Sequence, residues 1–244
     1  MASITSAALD EQIIALRRQV ALGCRVLAMA GHGDLVWGHV AGRDPADRGV
    51  WMKANNLGLE EVSPDDVLLV ERSGAVLEGA GGRHTEFPIH TEVMHARGDV
   101  GGVAHTHPDH AVALAAAGDE LRPISHAANL FVPPALPRFT QTTDLITTPE
   151  LGAAVAKCLG DHDALFLVNH GIVAAGPDVE TAVVRAVILE RACAVQLKVR
   201  AHNGWPTWTE PDEALSKRRN IYPDAHLRQV WEYLVRQLPN PLDD

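Results

Sequence analysis

Two histidines stand one residue apart in the run Val103-Ala104-His105-Thr106-His107-Pro108. The apolar start of this run predicts a buried strand, which Pro108 ends because proline offers the ladder no further N–H. Side chains alternate faces along a strand, so His105 and His107 project to the same side, close enough to grip one ion. Imidazole is the commonest metal ligand, and a divalent ion held by it can polarise a substrate oxygen. Two polar residues at a surface strand end would give the same pattern, so the pair alone leaves both readings open.

The elements that must position this pair follow from periodicity. Apolar residues at Leu9, Ile13, Leu16, Val20 and Leu27 predict a helix over 9–30, closed by Gly31-His32-Gly33-Asp34. Strands are expected over 35–40, at Trp51-Met52 and over 67–70, with a polar loop over 42–49 and a hairpin turning through Arg72-Ser73-Gly74 to 75–77. A helix over 85–97 has Thr85 as expected N-cap and Pro88 in its first turn. Then come the strand over 100–106, a helix over 108–117, a proline-rich ordered loop over 132–137 and a helix over 148–159. Strands over 164–168 and 172–175 flank the turn Asn169-His170-Gly171, and a long Ala/Val-rich helix over 177–199 must be nearly surrounded by protein. The aromatics Trp205, Trp208, Tyr222 and Trp231 predict a tail that docks on something.

At 244 residues the chain is long enough for one domain with a substantial core. We expect a catalytic domain over 1–200 and a helical tail over 201–244 packed on the same domain or on a neighbouring subunit. A net charge of -10 repels phosphate backbones, which argues against a nucleic-acid partner. Cys24, Cys158 and Cys193 are odd in number and lie in apolar, helix-like stretches, so they read as core residues and not as a disulfide framework or a thiolate zinc site. No signal peptide and no bilayer-length apolar stretch is evident, which makes a cytoplasmic address and no membrane association the expectation.

Two further pieces join the histidine pair: Glu86, 19 residues before His105, and His170, 65 residues after it in Asn169-His170-Gly171. With Thr85-Glu86-Phe87-Pro88-Ile89-His90 and Arg97-Gly98-Asp99-Val100, this pattern closely resembles the class II aldolase/adducin family over most of the chain. The resemblance implies a three-layer α/β/α fold with a central, mostly antiparallel sheet, and a homotetramer with sites at subunit interfaces. It also implies that His105, His107 and His170 bind the metal, with Glu86 a fourth ligand that swings away when substrate binds and acts as acid/base. Three neutral imidazoles would leave one divalent ion per subunit (Zn, Mn, Fe or Co) with its full charge and open positions. Family chemistry passes through a carbanion beside a carbonyl, with the metal on the oxygen that becomes an enolate.

Phosphate-binding members carry Gly-Asn and a hydroxyl residue near the first strand, and Ser-Gly in the next loop. Here Gly38-His39-Val40-Ala41 and Lys53-Ala54-Asn55-Asn56-Leu57-Gly58 stand in those places. The substrate expected is therefore unphosphorylated, with His39, Asn55 and Asn56 near it. Resemblance to the branch with Trp/His-Gly-His motifs implies decarboxylation of a small hydroxylated aromatic carboxylic acid, such as a dihydroxyphthalate. The alternatives are an aldolase acting on an unphosphorylated hydroxy-keto acid, an Fe(II)-dependent oxygenase and a non-catalytic assembly module. Arg83 could pair with a substrate carboxylate, or be simply solvated. His110 could line the pocket as a proton donor, and Tyr222 could supply a phenol to its own or a neighbouring site. His90 shares a helix face with Glu86 and is expected to be a polar partner within the packing.

Overall fold

The computed structural model describes residues 6–202, 207–239 and 242, so Trp205 lies outside the described residues. The predicted first helix is α1 (Ser6–Leu27), and a single π turn over Ala28–His32 carries the chain off its end. The sheet is built from β1 (His39–Arg43), β2 (Val50–Lys53), β3 (Val67–Val70), β4 (Val76–Glu78), β5 (Gly102–Thr106), β6 (Arg138–Phe139), β7 (Ala164–Leu167) and β8 (Gly171–Gly176). Their order is β4-β3-β2-β1-β5-β8-β7-β6, and β6–β7 alone is parallel.

Strand alternation separates two cores. Val40, Trp51, Leu69, Ala104, Phe166 and Ala174 face the layer of α1, α3 (Asp109–Ala116) and α6 (Val179–Arg200). Ala41, Met52, Leu68, Val103, Leu165 and Val173 face α2 (Phe87–Ala96) and α5 (Pro149–Leu159). Each of the larger side chains among them, Val, Leu, Met and Phe, contributes about 1.5–3 kcal/mol when fully buried, so both helical layers are needed. The three-layer α/β/α arrangement expected from the sequence is the one observed.

Several local expectations need correction. The strand expected over 35–40 begins only at His39 and runs on into the expected polar loop as far as Arg43. Leu35 takes a positive φ of 50° and is 74% exposed, while Trp37 N–H donates to the Asp34 carbonyl and closes a tight turn. Apolar Leu35-Val36-Trp37 thus mimics a buried strand without being one. Glu86, not Thr85, is the N-cap of α2, and its side chain makes no capping bond. The short α4 (His126–Asn129) and β6 had no sequence signal.

In the tail, α7 (Pro211–Ile221) packs on α4, and Arg218 ties the proline-rich loop by donating to the carbonyls of Asn129 (2.8 Å) and Pro133 (2.6 Å). The helix α8 (Asp224–Arg236) lays Leu227 and Trp231 into the core shared with α6. Among the described residues, no helix is long and apolar enough to cross a membrane.

Candidate metal centre

Cross-strand register brings the site together. His39 on β1 pairs with His105 on β5, and β8 flanks β5 on its other side with Thr106 opposite Ile172. His170 closes the β7–β8 turn, where Asn169 has a φ of 59°. Gly171 then lets β8 approach β5, since a Cβ there would meet the Thr106 carbonyl oxygen at 2.4 Å and the His107 ring at 2.7 Å. As a result the rings of His107 and His170 stack with centroids 5.3 Å apart, and His105 and His170 meet edge to face at 5.0 Å.

Hydrogen bonds determine which ring nitrogens face inward. His105 Nδ1 is 2.9 Å from the Ile172 carbonyl, which can only accept, so the proton lies on Nδ1. His107 Nδ1 is 2.8 Å from Asp34 Oδ2, which fixes the same tautomer. Two Nε2 lone pairs therefore oppose each other at 3.1 Å, a repulsive contact unless a cation lies between them. His170 Nε2 is buried and has no hydrogen-bond partner. Glu86 turns away from its own helix: Oε1 accepts from the Ile146 amide at 2.8 Å, and Oε2 stands 3.6 Å from His105 Nε2 and 3.5 Å from His170 Nε2.

All four ligand atoms lie within 4.8 Å of one another. Donors each about 2.0–2.1 Å from one tetrahedral ion lie roughly 3.3 Å apart, so the closest of these separations suit a single ion. The residues thus fit a divalent metal, with an orphaned buried nitrogen and facing lone pairs that such an ion would satisfy. Electrostatics agree. Burial acts to raise the Glu86 carboxyl, but His105 and His170 hold it well below the usual carboxylate range, so it is ionised at neutral pH. Burial, then the neighbouring His105, lowers His107 to about 4 despite Asp34, leaving a neutral ring able to ligate.

Behind the ligands lies a buried row of imidazoles. His39 packs between His84, His90 and His105, with ring centroids 4.5, 4.8 and 5.0 Å away, and its Nδ1 is 2.6 Å from His90 Nε2. His39 therefore stands one layer behind the candidate metal ligands, and His90 is its partner within the packing. Of the other residues singled out in the sequence, Arg83 donates to the Gly74 carbonyl at 2.6 Å and lies over the Phe87 ring at 4.2 Å, bracing the start of α2. Asn55 N–H donates to the Gly82 carbonyl and Asn56 takes a φ of 61°, so both shape the loop after β2. His110 turns to Glu190 of α6 (2.6 Å) and Tyr222 packs against the α6 core. No hydrogen bond joins these five to the four ligand side chains. Sequence reasoning missed Asp34, His84, Lys53 and the Ile146 amide, whose roles arise from contacts between segments far apart in the chain.

The sequence pattern of the Class II Aldolase and Adducin N-terminal domain matches residues 18–197. This chain belongs to that family. It is similar to 3,4-dihydroxyphthalate decarboxylase of Arthrobacter keyseri, 30% identical over 242 residues that span 91% of this chain and 93% of the relative. The same enzyme of Rhodococcus jostii (strain RHA1) is 30% identical over 84% of this chain and 88% of its own length. Among solved structures, L-fuculose 1-phosphate aldolase from Glaciozyma antarctica PI12 shares the fold with a TM-score of 0.79 and 22% identity, covering 97% of this chain and 96% of that one. An aldolase II superfamily protein from Pseudomonas syringae superposes with a TM-score of 0.83 at 23% identity, covering 93% of each chain. The expected fold and the expected lyase class are both borne out.

Proposed function

We propose that this chain is a divalent-metal-dependent decarboxylase of a small, unphosphorylated, hydroxylated aromatic carboxylic acid of the dihydroxyphthalate type. The observation that carries this reading is the convergence of three imidazole Nε2 atoms and Glu86 Oε2 on one point, in a chain similar over nearly its whole length to dihydroxyphthalate decarboxylases. A divalent ion held there would polarise a hydroxyl or carbonyl oxygen beside the scissile carboxylate and offset the negative charge that develops on it.

The protein's own groups account for the remaining requirements. Asp34 and the Ile172 carbonyl keep His107 and His105 in the tautomer that aims Nε2 inward. As the carbon–carbon bond breaks, its electron pair stays with the ring and carbon dioxide leaves. The carbon left behind then takes a proton from a water that the ionised Glu86 orients. Glu86 is free to shift because a single backbone amide, Ile146 N–H, holds its other oxygen. A homotetramer, and one ion of Zn, Mn, Fe or Co per subunit, complete the proposal.

The test is metal analysis of the purified protein followed by a metal-replete screen of hydroxybenzoates, hydroxylated phthalates and hydroxy-keto acids. The expected result is one metal per chain and mass loss of carbon dioxide from a hydroxylated phthalate, both abolished in His105→Ala. Aldehyde release without carbon dioxide would identify an aldolase instead. A metal-free protein indifferent to His105→Ala would identify an assembly module.

A further inference from the structure

Access to the candidate metal centre is uneven. Of the four ligand side chains His107 is the most exposed, at 17% against 0% for His105, 8% for Glu86 and 9% for His170. Asp34, which accepts from the outer nitrogen of the His107 ring, is more exposed again. The centre therefore opens to solvent past His107, and the turn Asp34–Trp37 forms the rim of that opening.

Backbone pairing sets where the Trp37 side chain starts. Asp34 and Trp37 form an antiparallel bridge, and directly opposed residues of such a pair project to one face with Cβ atoms about 4.5–5.5 Å apart. The indole thus leaves the turn beside the Asp34 side chain, on the face that meets His107. The turn itself is anchored. Its Val36 carbonyl accepts from the buried Lys53 ammonium at 3.2 Å. Gly38, with a φ of 78°, passes so close to β5 that a Cβ there would stand 3.6 Å from the His105 carbonyl oxygen. Trp37 is nonetheless 52% exposed, and among the described residues no ring and no cation packs on its face.

We propose that Trp37 determines specificity: its indole stacks on the aromatic ring of a substrate whose oxygens face the metal centre, so that the site selects a flat aromatic acid over a saturated one of the same charge. This deepens the decarboxylase reading and rests on it. Such a ring must extend outward past His107, because the buried rings of His39, His84 and His90 close the opposite side. It then lies where the indole starts. Stacked aromatic faces gain more than the area they bury, and a puckered saturated ring cannot make that contact.

The experiment measures calorimetric binding of phthalate and of cis-cyclohexane-1,2-dicarboxylate, its saturated counterpart with the same two carboxylates. Both are titrated into metal-containing wild type, Trp37→Leu and Trp37→Phe, with metal content and oligomeric state determined for each. Wild type should bind phthalate about threefold to tenfold tighter, the range of one aromatic pair. Trp37→Leu should lose that preference while keeping its metal and its affinity for the saturated acid, and Trp37→Phe should retain part of it. Should Trp37→Leu fail to fold, 5-fluorotryptophan NMR replaces it: the resonance missing from Trp37→Phe should move with phthalate and not with the saturated acid. A metal-containing wild type without the aromatic preference, or a Trp37→Leu that keeps it, overturns the proposal. So does a Trp37→Leu that breaks up the wild-type assembly, by assigning the indole to a subunit contact. A wild type that binds no metal instead sinks the decarboxylase reading itself.

Discussion

Histidines kept neutral by burial make this fold sensitive to acid, and the size of the effect follows from two that are not metal ligands. Burial lowers His32 to about 4, and burial followed by repulsion from His105 and His84 lowers His90 to about 3, both from 6.5. In the unfolded chain both titrate near 6.5, so between about 6.5 and 4 the unfolded state binds more protons than the folded one and stability must fall as pH falls. At pH 5 each unfolded imidazole gains about 2 kcal/mol from protonation that the folded state forgoes, roughly 4 kcal/mol for the pair. The corresponding slope near pH 5 is about 2.5 kcal/mol per pH unit from these two alone. Urea unfolding of the chelator-treated protein, followed by circular dichroism from pH 7.5 to 5, reads the slope directly. His90→Gln should reduce it by roughly one proton, about 1.3 kcal/mol per pH unit. A wild-type stability that is flat or rising towards pH 5, or a His90→Gln slope equal to wild type, would refute the assignment of buried neutral rings.

Asp34→Asn and Asp34→Ala should weaken metal binding about 10- to 100-fold, the alanine more, because the ring of His107 loses its orienting carboxylate; competition with a chromogenic chelator reports it, and unchanged affinity would remove Asp34 from the site. Gly171→Ala drives a methyl into the Thr106 carbonyl, and should cost about 1–3 kcal/mol together with metal affinity; an unaltered melting temperature and metal content would mean that β8 shifts freely. Chelation should lower stability by mass action, about 4 kcal/mol where free metal had stood at a thousandfold its Kd, and calorimetric scans with and without chelator should separate accordingly. His105→Ala should also remove the hydrogen bond from Nδ1 to the Ile172 carbonyl, at about 0.5–1.5 kcal/mol, so its stability loss should exceed that of His170→Ala, whose Nε2 has no such partner.

The four candidate ligands could be singled out in the sequence for two different reasons: His105 and His107 obey the two-residue period of a strand, and Glu86 and His170 stand at the spacing of the family the chain resembles. The strands were legible as short apolar runs, but their division between two cores was not, because runs buried at every position carry no alternation to show which face each residue takes. What escaped depends on pairing between distant segments. Nothing near Lys53 in sequence announces His84, and nothing near Asp34 announces His107, because register across β1, β2 and β5 makes those contacts. The misplaced first strand has another cause. Leu35-Val36-Trp37 is apolar enough to read as core, yet Trp37 is 52% exposed, and hydrophobicity cannot distinguish a buried strand from an uncovered turn.

The hydrogen bond from His105 to Ile172 ends on a main-chain oxygen, and this alters how the site can fail. A side-chain partner can be deleted by a single substitution; a carbonyl cannot, since every residue type at position 172 presents it. Misaiming His105 instead requires β8 to slip along β5, and a slip of one residue would exchange Val173 and Ala174 between the two cores. The sheet's hydrophobic pattern thus doubles as error protection for the candidate ligand, and among the residues that support the four ligand side chains it concentrates the mutational risk at Asp34 and Gly171.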